Sequence, residues 1–321
     1  MLRFILKRLL IAIPLLFGIS LVSFFLMKLT PGDPTQLFVD PNISAKDLLQ
    51  IKENLGLNRP LLHQYGVWIS KLCQGDFGFS YVTGRPVLDM ILERLPATLL
   101  LTASSLIVIL LLSTILGVWS AYKKERGADS AITFFSFVGL SLPTFWLGLM
   151  LMYIFSVKLS LFPSSGYSSI DLSERSFFGR FLDIAWHLML PLFTVVLGGL
   201  AGLTRYFRFG MIGILEQDYI KAAKARGIST FKILFKHALK NALIPIVTLL
   251  GMQLPELFGG MFVIEYIFAW PGMGKLGVDA IFARDYPVIM GTLFFSSLLV
   301  LLGSLLSDLA YGFLDPRIDR G

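Results

Sequence analysis

A glycine-rich stretch is the part of this sequence that comes nearest to a cofactor-binding motif. Gly272, Gly274 and Gly277 match the G-x-G-x-x-G spacing that lets a backbone approach a dinucleotide pyrophosphate. The position about 20 residues later, where an acid should bind the ribose, falls instead in the apolar segment 286–307. Because no repeating strand and helix pattern surrounds the motif either, we do not expect a dinucleotide site.

Other catalytic and metal-binding motifs are missing from the sequence. No G-x4-G-K-[ST] phosphate loop occurs, since Lys275 is followed by leucine, and neither H-E-x-x-H nor G-x-S-x-G is found. His63, His187 and His237 are too far apart for a metal-ligand spacing. Cys73 is the single cysteine, which excludes an intrachain disulfide. We therefore predict no catalytic residue, no cofactor and no metal in this chain.

One acid lies well inside a predicted membrane segment. Glu256 stands there beside Gln253 and Pro255. Ionisable groups at such depth commonly face a cavity or a partner, which favours a pathway or gate role that meets a cationic group of the cargo. The alternative is that Glu256 snorkels towards the outer leaflet or caps a helix break at 259–260. Glu256 and Gln253 are the candidate pathway residues.

The elements that carry these residues are predicted to be membrane helices. Of 321 residues 55% are apolar and 15% are charged, against roughly 25% charged residues in soluble domains, and the mean hydropathy is +0.74. A bilayer core of about 30 Å requires ~20 apolar residues in a helix. Six segments reach or approach that length: 9–27, 95–122, 130–157, 188–204, 241–255 and 286–307. The sequence predicts an all-α integral membrane protein with six transmembrane helices.

The distribution of basic residues predicts the orientation of these helices. With a cytoplasmic N-terminus, five Lys and Arg residues fall in short outer connections: Lys158, Arg175, Arg180, Lys275 and Arg284. Sixteen fall on the inner side: Arg3, Lys7, Arg8, Lys123, Lys124, Arg126, Arg205, Arg208, Lys221, Lys224, Arg226, Lys232, Lys236, Lys240, Arg317 and Arg320. Cytoplasmic connections are the ones enriched in Lys and Arg. We expect both termini to be cytoplasmic, so the net charge of +7 does not indicate nucleic acid.

The same topology predicts the domain organisation. Proline and glycine divide the outer segment after the first helix into turns and short helices, which is typical of a small folded unit. We therefore expect 1–94 to hold the first helix and a small extracytoplasmic subdomain. Residues 95–313 form the five-helix core with a cytoplasmic loop at 205–240, and 314–321 form a cytoplasmic tail.

Prolines within the predicted helices indicate where they break. Pro14, Pro143, Pro191 and Pro255 lie inside spans and predict kinks, because each removes a backbone donor. Pro96 lies at the beginning of the span 95–122, where a first-turn proline predicts a helix start.

The loop between the fourth and fifth spans predicts a helix, a sharp turn and a second helix. Asp218 can cap the first helix, Gly227 suits the left-handed position that ends it, and Ser229 can cap the next. At spacing i, i+3, i+4 and i+7 on the first helix stand Tyr219, Ala222, Ala223 and Arg226. These positions share one nearly flat face. Such a face favours docking into a protein groove over binding to lipid, because its alanines bury little apolar area.

This loop resembles the EAA loop of ABC importer permeases. Ala222 and Ala223 are followed by Gly227 and by a proline-containing helix start at 241–245, and 218–245 resembles the permeases of the dipeptide/oligopeptide/nickel group. Further matches occur in order: LTPGDP at 29–34, GDFG at 75–78, TGRPV at 83–87, ERLPAT at 93–98, WPGMG at 270–274, RDYP at 284–287 and LDPR at 314–317. Lys221 departs from the pattern, since it replaces the glutamate that names the loop.

The resemblance implies a type I ABC importer permease fold and a set of partners. It implies that the helix 219–227 is a coupling helix whose docking residues are Tyr219, Ala222, Ala223, Arg226 and Gly227. The implied partners are a second homologous permease, two ABC ATPase subunits that hold ATP and Mg²⁺, an extracytoplasmic substrate-binding protein and membrane lipid. The implied location is the inner membrane of a bacterium or archaeon.

The cargo implied by the resemblance is a di- or oligopeptide. A nickel or nickel-chelate permease of the same family is one alternative, and an ion-coupled secondary carrier is another. An intramembrane enzyme is the third. A carrier of six spans would have to dimerise and would be expected to contain more intramembrane charges than Glu256.

Overall fold

The chain is helical throughout most of the residues that the structure, a computed structural model, describes: 2–29, 53, 58–171, 176–243 and 261–314. The helices are α1 Leu2–Leu29, α2 Leu61–Cys73, α3 Val87–Tyr122, α4 Gly127–Ser141, α5 Thr144–Leu151, α6 Phe177–Leu215, α7 Asp218–Ala225, α8 Thr230–Lys232, α9 Met273–Ala283 and α10 Tyr286–Leu314. Helix α5 continues as a π-helical segment, Met152–Lys158, and α8 continues as another, Ile233–Ala238. A further helical segment covers 261–267.

Four of the described helices are long and apolar enough to cross a membrane. They include the segments Leu10–Lys28, Val87–Tyr122, Phe177–Leu215 and Tyr286–Leu306. Their outer surfaces carry large exposed apolar side chains, such as Leu10 and Leu111, which are 67% and 59% exposed. Apolar surface of this extent indicates contact with lipid or another subunit. The predicted span 241–255 lies largely outside the described residues, so the predicted count of six helices stays a prediction.

The predicted span 130–157 is not one straight helix. Together, α4 and the helical segment Thr144–Lys158 that begins with α5 are long and apolar enough to cross a membrane, but they are bent by 103° at the break between them. Leu142 ends α4 in an extended conformation, and Pro143 precedes the first turn of α5. The residue before a proline is driven out of the helical region by contact with the proline ring, which explains the break at this point.

Pro96 does not begin a helix, in contrast to the prediction. Helix α3 begins at Val87, so Pro96 lies in its interior. Pro14 and Pro191 also lie within continuous helices, α1 and α6. Neighbouring helices in a membrane bundle compensate the lost backbone donor, and the local sequence does not reveal that compensation.

The described residues cluster into two compact units. The first comprises Leu99–Trp270 with Leu302–Gly321, and the second comprises Leu2–Thr98 with Pro271–Leu301. The second unit therefore combines the part of the chain around the predicted 1–94 subdomain with a segment more than 170 residues away in sequence. A boundary at 94 would fall inside α3.

Close packing at glycines holds the helices of the first unit together. A Cβ atom at Gly117 of α3 would lie 2.9 Å from the carbonyl oxygen of Thr204 and would also overlap the Cβ of Phe207, both in α6. A Cβ at Gly199 of α6 would lie 2.8 Å from Ile109 of α3. Glycine is required at such points because only a residue without Cβ lets the two helices approach so closely.

A buried carboxylate organises the second unit. Asp285 is 3% exposed, and its side chain accepts hydrogen bonds from the Ser80 hydroxyl and, at 3.0 Å, from the Tyr81 backbone N–H. Burial, and then the nearby Asp285 carboxylate, raise the pKa of the Tyr81 phenol above its ordinary value. At the beginning of α9, the Met273 N–H donates to the Thr98 hydroxyl at 2.8 Å. These bonds satisfy groups that would be costly to bury unpaired.

Candidate functional site

The candidate site is the helix–turn–helix from Gln217 to 243, which the sequence predicts as a docking element. Helix α6 ends at Leu215, and α7 begins at Asp218 after an extended Gln217. The predicted cap is wrong in detail: Gln217 holds the capping position without a side-chain bond, and Asp218 is the first helical residue. The Asp218 carboxylate is paired with the Lys221 ammonium at 2.9 Å. An acid in the first turn still interacts favourably with the helix dipole.

The end of α7 is a left-handed glycine turn, as the sequence predicts. Gly227 has φ of +71°. Its N–H donates to the Lys224 carbonyl at 3.0 Å, and the Ile228 N–H donates to the Ala223 carbonyl at 3.3 Å. This pair of bonds defines a Schellman motif, in which glycine adopts the left-handed conformation without a Cβ penalty. The turn directs the chain sharply from α7 into α8.

The second helix of the site begins where the sequence predicts. Ser229 occupies the position before Thr230 but makes no side-chain bond to the helix. The helix continues through the π-helical segment Ile233–Ala238 and on to 243. A π-helical segment shifts the side chains that follow it around the helix axis. Here Ile233, Leu234 and Ala238 are all buried.

The structure corrects the predicted docking face at one position. Tyr219, Ala222 and Arg226 are exposed, whereas Ala223 is only 8% exposed and lies on the inward side with the fully buried Ile220. Ile220 is the only large aliphatic side chain in α7, so it determines which side of the helix turns inward. Ala223, one turn further along, follows it. Ala223 therefore anchors α7 to its own chain rather than facing outward.

A hydrophobic cluster holds α7 in place. Ile220 and Ala223 pack with Val118 and Ala121 of α3 and with Met211 of α6. The remaining buried members come from the second helix of the site: Ile233, Leu234, Ala238 and Ala242. The cluster therefore links α7 directly to two helices that are long enough to cross a membrane. A displacement of α7 would act on both helices through close-packed side chains, which deform little.

The outward side of α7 is polar and partly pre-ordered. The Tyr219 hydroxyl accepts a hydrogen bond from the Asn241 amide at 2.8 Å, which fixes a side chain that is 45% exposed. A cleft of about 570 Å³ opens beside the helix, and Lys224, Ile228 and Glu216 are among its lining residues. An exposed aromatic ring with restricted motion is well suited to a protein interface, because less side-chain entropy is lost on binding.

Two further candidate residues lie elsewhere. Glu256 and Gln253 are outside the described residues, so their predicted pathway role stays a prediction. Within the described parts of the chain, no three His, Cys, Asp or Glu side chains are close enough to hold a metal ion. The arrangement at α7 offers a surface and a mechanical connection, and it presents no group placed for acid–base or nucleophilic chemistry.

The sequence interpretation missed an ion pair near the site. Arg208 of α6 donates to Asp129 of α4 with two nitrogens, Nε at 2.7 Å and Nη2 at 2.8 Å. In the sequence, Arg208 counted only towards the charge balance, and Asp129 stood at the edge of a predicted span. Opposite charges at span ends on one predicted side of the membrane were the available signal, but sequence spacing alone could not pair them.

Two family models and several known proteins match this chain in sequence. The family model described as binding-protein-dependent transport system inner membrane component matches residues 113–320, and its N-terminal counterpart matches 1–102. The oligopeptide transport system permease protein AppB of Bacillus subtilis is 46% identical over 99% of this chain and 100% of its own. The glutathione transport system permease protein GsiC of Escherichia coli K12 is 37% identical over 99% of each chain.

A solved structure shares the fold of this chain. A chain of the MetNI methionine ABC transporter, in an inward-facing conformation, superposes with a TM-score of 0.56 and covers 71% of this chain and 97% of its own. At 16% sequence identity, the likeness concerns the fold.

Proposed function

This chain belongs to the family of inner-membrane components of binding-protein-dependent transport systems, and from that premise we propose that it is the peptide permease subunit of an ATP-driven ABC importer. The observation that carries the proposal is the 46% identity with an oligopeptide permease over the whole length of both chains. Glutathione, named for another relative, is itself a small peptide. A nickel cargo is less well supported, because His187 contacts Asp183 rather than other histidines.

The proposed mechanism uses α7 as the connection to the ATPases. Two ATPase subunits bind ATP and Mg²⁺, and their closure displaces α7 through the outward face formed by Tyr219, Ala222 and Arg226. The hydrophobic cluster around Ile220 and Ala223 passes this displacement to α3 and α6. A second, homologous permease completes the pathway, and an extracytoplasmic binding protein delivers the peptide. The bundle then alternates between outward and inward access.

The energy source is the first testable part of this proposal. Liposomes containing this chain, its paired permease, the ATPases and a peptide-loaded binding protein should accumulate peptide when ATP is enclosed with the ATPases. They should not accumulate it when a proton or sodium gradient replaces ATP, because the chain has no G-x4-G-K-[ST] loop and α7 offers a docking surface instead. Uptake is measured with a labelled peptide.

The matched control omits only the ATPase subunits. This sample should show no uptake with ATP, since none of the remaining components hydrolyses ATP. Accumulation driven by an ion gradient in the presence of this chain alone would support a secondary carrier and overturn the importer proposal.

The proposed topology has six membrane spans with both termini in the cytoplasm. The four long helices and the bent pair α4–α5 support up to five crossings, and the span 241–255 is proposed as the remaining one. The number of crossings depends on the bent pair, because a bend of 103° is compatible with either one broken crossing or a re-entrant loop. A re-entrant loop would return the chain to the side from which it entered.

Cysteine labelling distinguishes these two topologies. In a Cys73→Ser background, Arg126→Cys should be protected from a membrane-impermeant maleimide in intact cells, and Ser165→Cys should react, because the two residues flank the bent pair. Wild-type Cys73, which is exposed, serves as the outside control. Reaction of both engineered cysteines from the same side would show a re-entrant loop and exclude the six-span topology.

A further inference from the structure

A partly buried ion pair, between Arg208 and Asp129, joins helices close to α7. Arg208 and Asp129 form two nearly equal hydrogen bonds, and their side chains are 20% and 6% exposed. Paired bonds between a guanidinium and a carboxylate determine the relative orientation of both groups, because both planes must coincide. The pair therefore fixes the position of the beginning of α4 relative to α6.

Two further donors complete the shell of Asp129. The Ser120 hydroxyl of α3 donates to Oδ1, and the Glu125 backbone N–H donates to Oδ2 at 2.9 Å. Glu125 has φ of +62°, a left-handed conformation that is unfavourable for a residue with a side chain. The Asp129 carboxylate thus connects α3, the turn before α4, the beginning of α4 and, through Arg208, α6.

The same turns of α3 and α6 carry the hydrophobic cluster that holds α7. Val118 and Ala121 of α3 flank Ser120 in sequence, and Met211 of α6 is one turn beyond Arg208. Gly117, at the close approach of α3 and α6, lies three residues before Ser120. The ion pair is therefore adjacent to the surface on which α7 rests, and it reaches α4, which is absent from that cluster.

Stability alone does not account for an ion pair at this position. Replacing a buried ion pair by well-packed apolar side chains commonly leaves stability unchanged or raises it. What the ion pair provides in addition is a fixed orientation, since the two parallel hydrogen bonds hold the guanidinium and the carboxylate in one plane. A bidentate charge pair between helices is therefore suited to fixing their relative geometry.

We propose that the Asp129–Arg208 pair is a positioning element that makes the docking helix α7 and the bent pair α4–α5 move together. The inference rests on the proposed function, because it concerns how displacement of α7 by the ATPases reaches the transport pathway. Asp129 and Arg208 act through the helices they join and do not contact cargo or ATPase. Without the pair, α7 still docks, but its displacement is passed to α4 less completely, through the remaining contacts between α4 and α6.

The test compares single and double neutral variants in the purified complex. Arg208→Gln leaves the buried Asp129 carboxylate without its ion-pair partner, and Asp129→Asn leaves the half-buried Arg208 guanidinium without its own, so both single variants are expected to assemble poorly, Arg208→Gln more so. The double variant Asp129→Asn/Arg208→Gln removes both charges and should restore assembly with the ATPases and the basal ATPase rate. Its stimulation by peptide-loaded binding protein should nevertheless fall roughly five- to tenfold, the range of a moderate allosteric coupling.

A merely structural ion pair gives a different result. In that case the double variant would recover normal stimulation together with assembly, and this outcome would overturn the proposal. The control is Asp279→Asn, which removes the carboxylate of an exposed ion pair with Lys275 within α9 and should leave stimulation at the wild-type value. Absence of peptide-stimulated hydrolysis in the wild-type complex would instead contradict the proposed function.

A distance measurement tests the positioning role without reference to cargo. Spin labels are placed in a Cys73→Ser background at Ala225, at the end of α7, and at Ala131 in α4; both positions are exposed. On ATP binding to the partner subunits, the distance between the labels should stay constant in the wild type and change or broaden in the double variant. A changing distance in the wild type, or a constant one in the double variant, would contradict the inference.

Discussion

Glutamate at Ala223 is expected to abolish ATP-driven uptake by detaching α7 from its own chain. The Ala223 side chain is 8% exposed and packs with Ile220, Val118 and Leu234, so a glutamate there would bury an unpaired carboxylate in an apolar cluster. An uncompensated buried charge costs ~3 to 5 kcal/mol. A penalty of that size lowers the population of α7 that is packed against its own chain by about two to four orders of magnitude. Uptake is measured in the same liposomes as for the wild type.

Two neighbouring alanines provide the comparison. Ala222 and Ala225 are exposed on the same helix. Ala222→Glu should leave α7 folded against its own chain but weaken binding of the ATPases, because Ala222 shares the outward face with Tyr219 and Arg226. Ala225→Glu lies off that face and should retain wild-type uptake, apart from a small unfavourable effect at the helix C-terminus.

Protease sensitivity separates the two ways of losing uptake. The basic residues Lys221, Lys224 and Arg226 make α7 and its turn a substrate for trypsin. Ala223→Glu should accelerate cleavage there even without ATPases, whereas Ala222→Glu should cleave like the wild type when ATPases are absent. Normal uptake and normal cleavage in Ala223→Glu would show that α7 is not anchored as described.

Alanine at Gly117 is expected to lower the stability of the first unit. The added Cβ would overlap Phe207 and approach the Thr204 carbonyl oxygen to 2.9 Å, so α3 and α6 would have to separate. Overpacking of this kind costs ~1 to 3 kcal/mol. The gain of about 1 kcal/mol from replacing glycine within a helix offsets part of this cost. The midpoint of thermal unfolding in detergent should therefore fall, and ATPase assembly should weaken.

Gly210 is the matched control, because it lies in the same helix α6 and a Cβ there would meet no atom within 4 Å. Gly210→Ala should raise the unfolding midpoint slightly through its higher helix propensity. Equal midpoints for Gly117→Ala and Gly210→Ala would show that the close approach of α3 and α6 is not a feature of the folded protein.

Local composition was sufficient to predict the long apolar helices and the turn of the candidate site. The segments 9–27, 95–122, 188–204 and 286–307 each fall within a described helix that is long enough to span a membrane. These predictions are confirmed because hydrophobic length is a property of consecutive residues. The turn after α7 is equally local, since Gly227 adopts the left-handed conformation that its missing side chain permits.

Membership of the peptide permease group could also be recognised from the sequence. The matching motifs are spread from 29 to 317, and the family models and relatives cover the same length. Short motifs in a fixed order are readable without coordinates, because each is a local pattern. The contacts between these motifs in the folded protein cannot be read in the same way. Asp285 is an example, because its partners Ser80 and Tyr81 are some 200 residues away in the chain.

The side of α7 that faces inward was decided by tertiary structure. Helical spacing placed Ala223 with Tyr219, Ala222 and Arg226, and that grouping is correct for the helix in isolation. Ala223 lies at the edge of this face, however, and Ile220 together with the second helix of the site covers it. Periodicity determines which residues share a face, but the position of the neighbouring helices determines where that face ends.

The bend after α4 and the Asp129–Arg208 pair depended on the tertiary structure in the same way. Proline predicted a kink at Pro143 but also at Pro14 and Pro191, where α1 and α6 continue, so the presence of a proline does not determine the angle of a bend. Asp129 and Arg208 are 79 residues apart in sequence. Sequence determines the hydrophobic length, charge and local turns of this chain, because those interactions act between near neighbours. Only the packed structure determines which helix ends meet, because that choice depends on contacts between segments far apart in the chain.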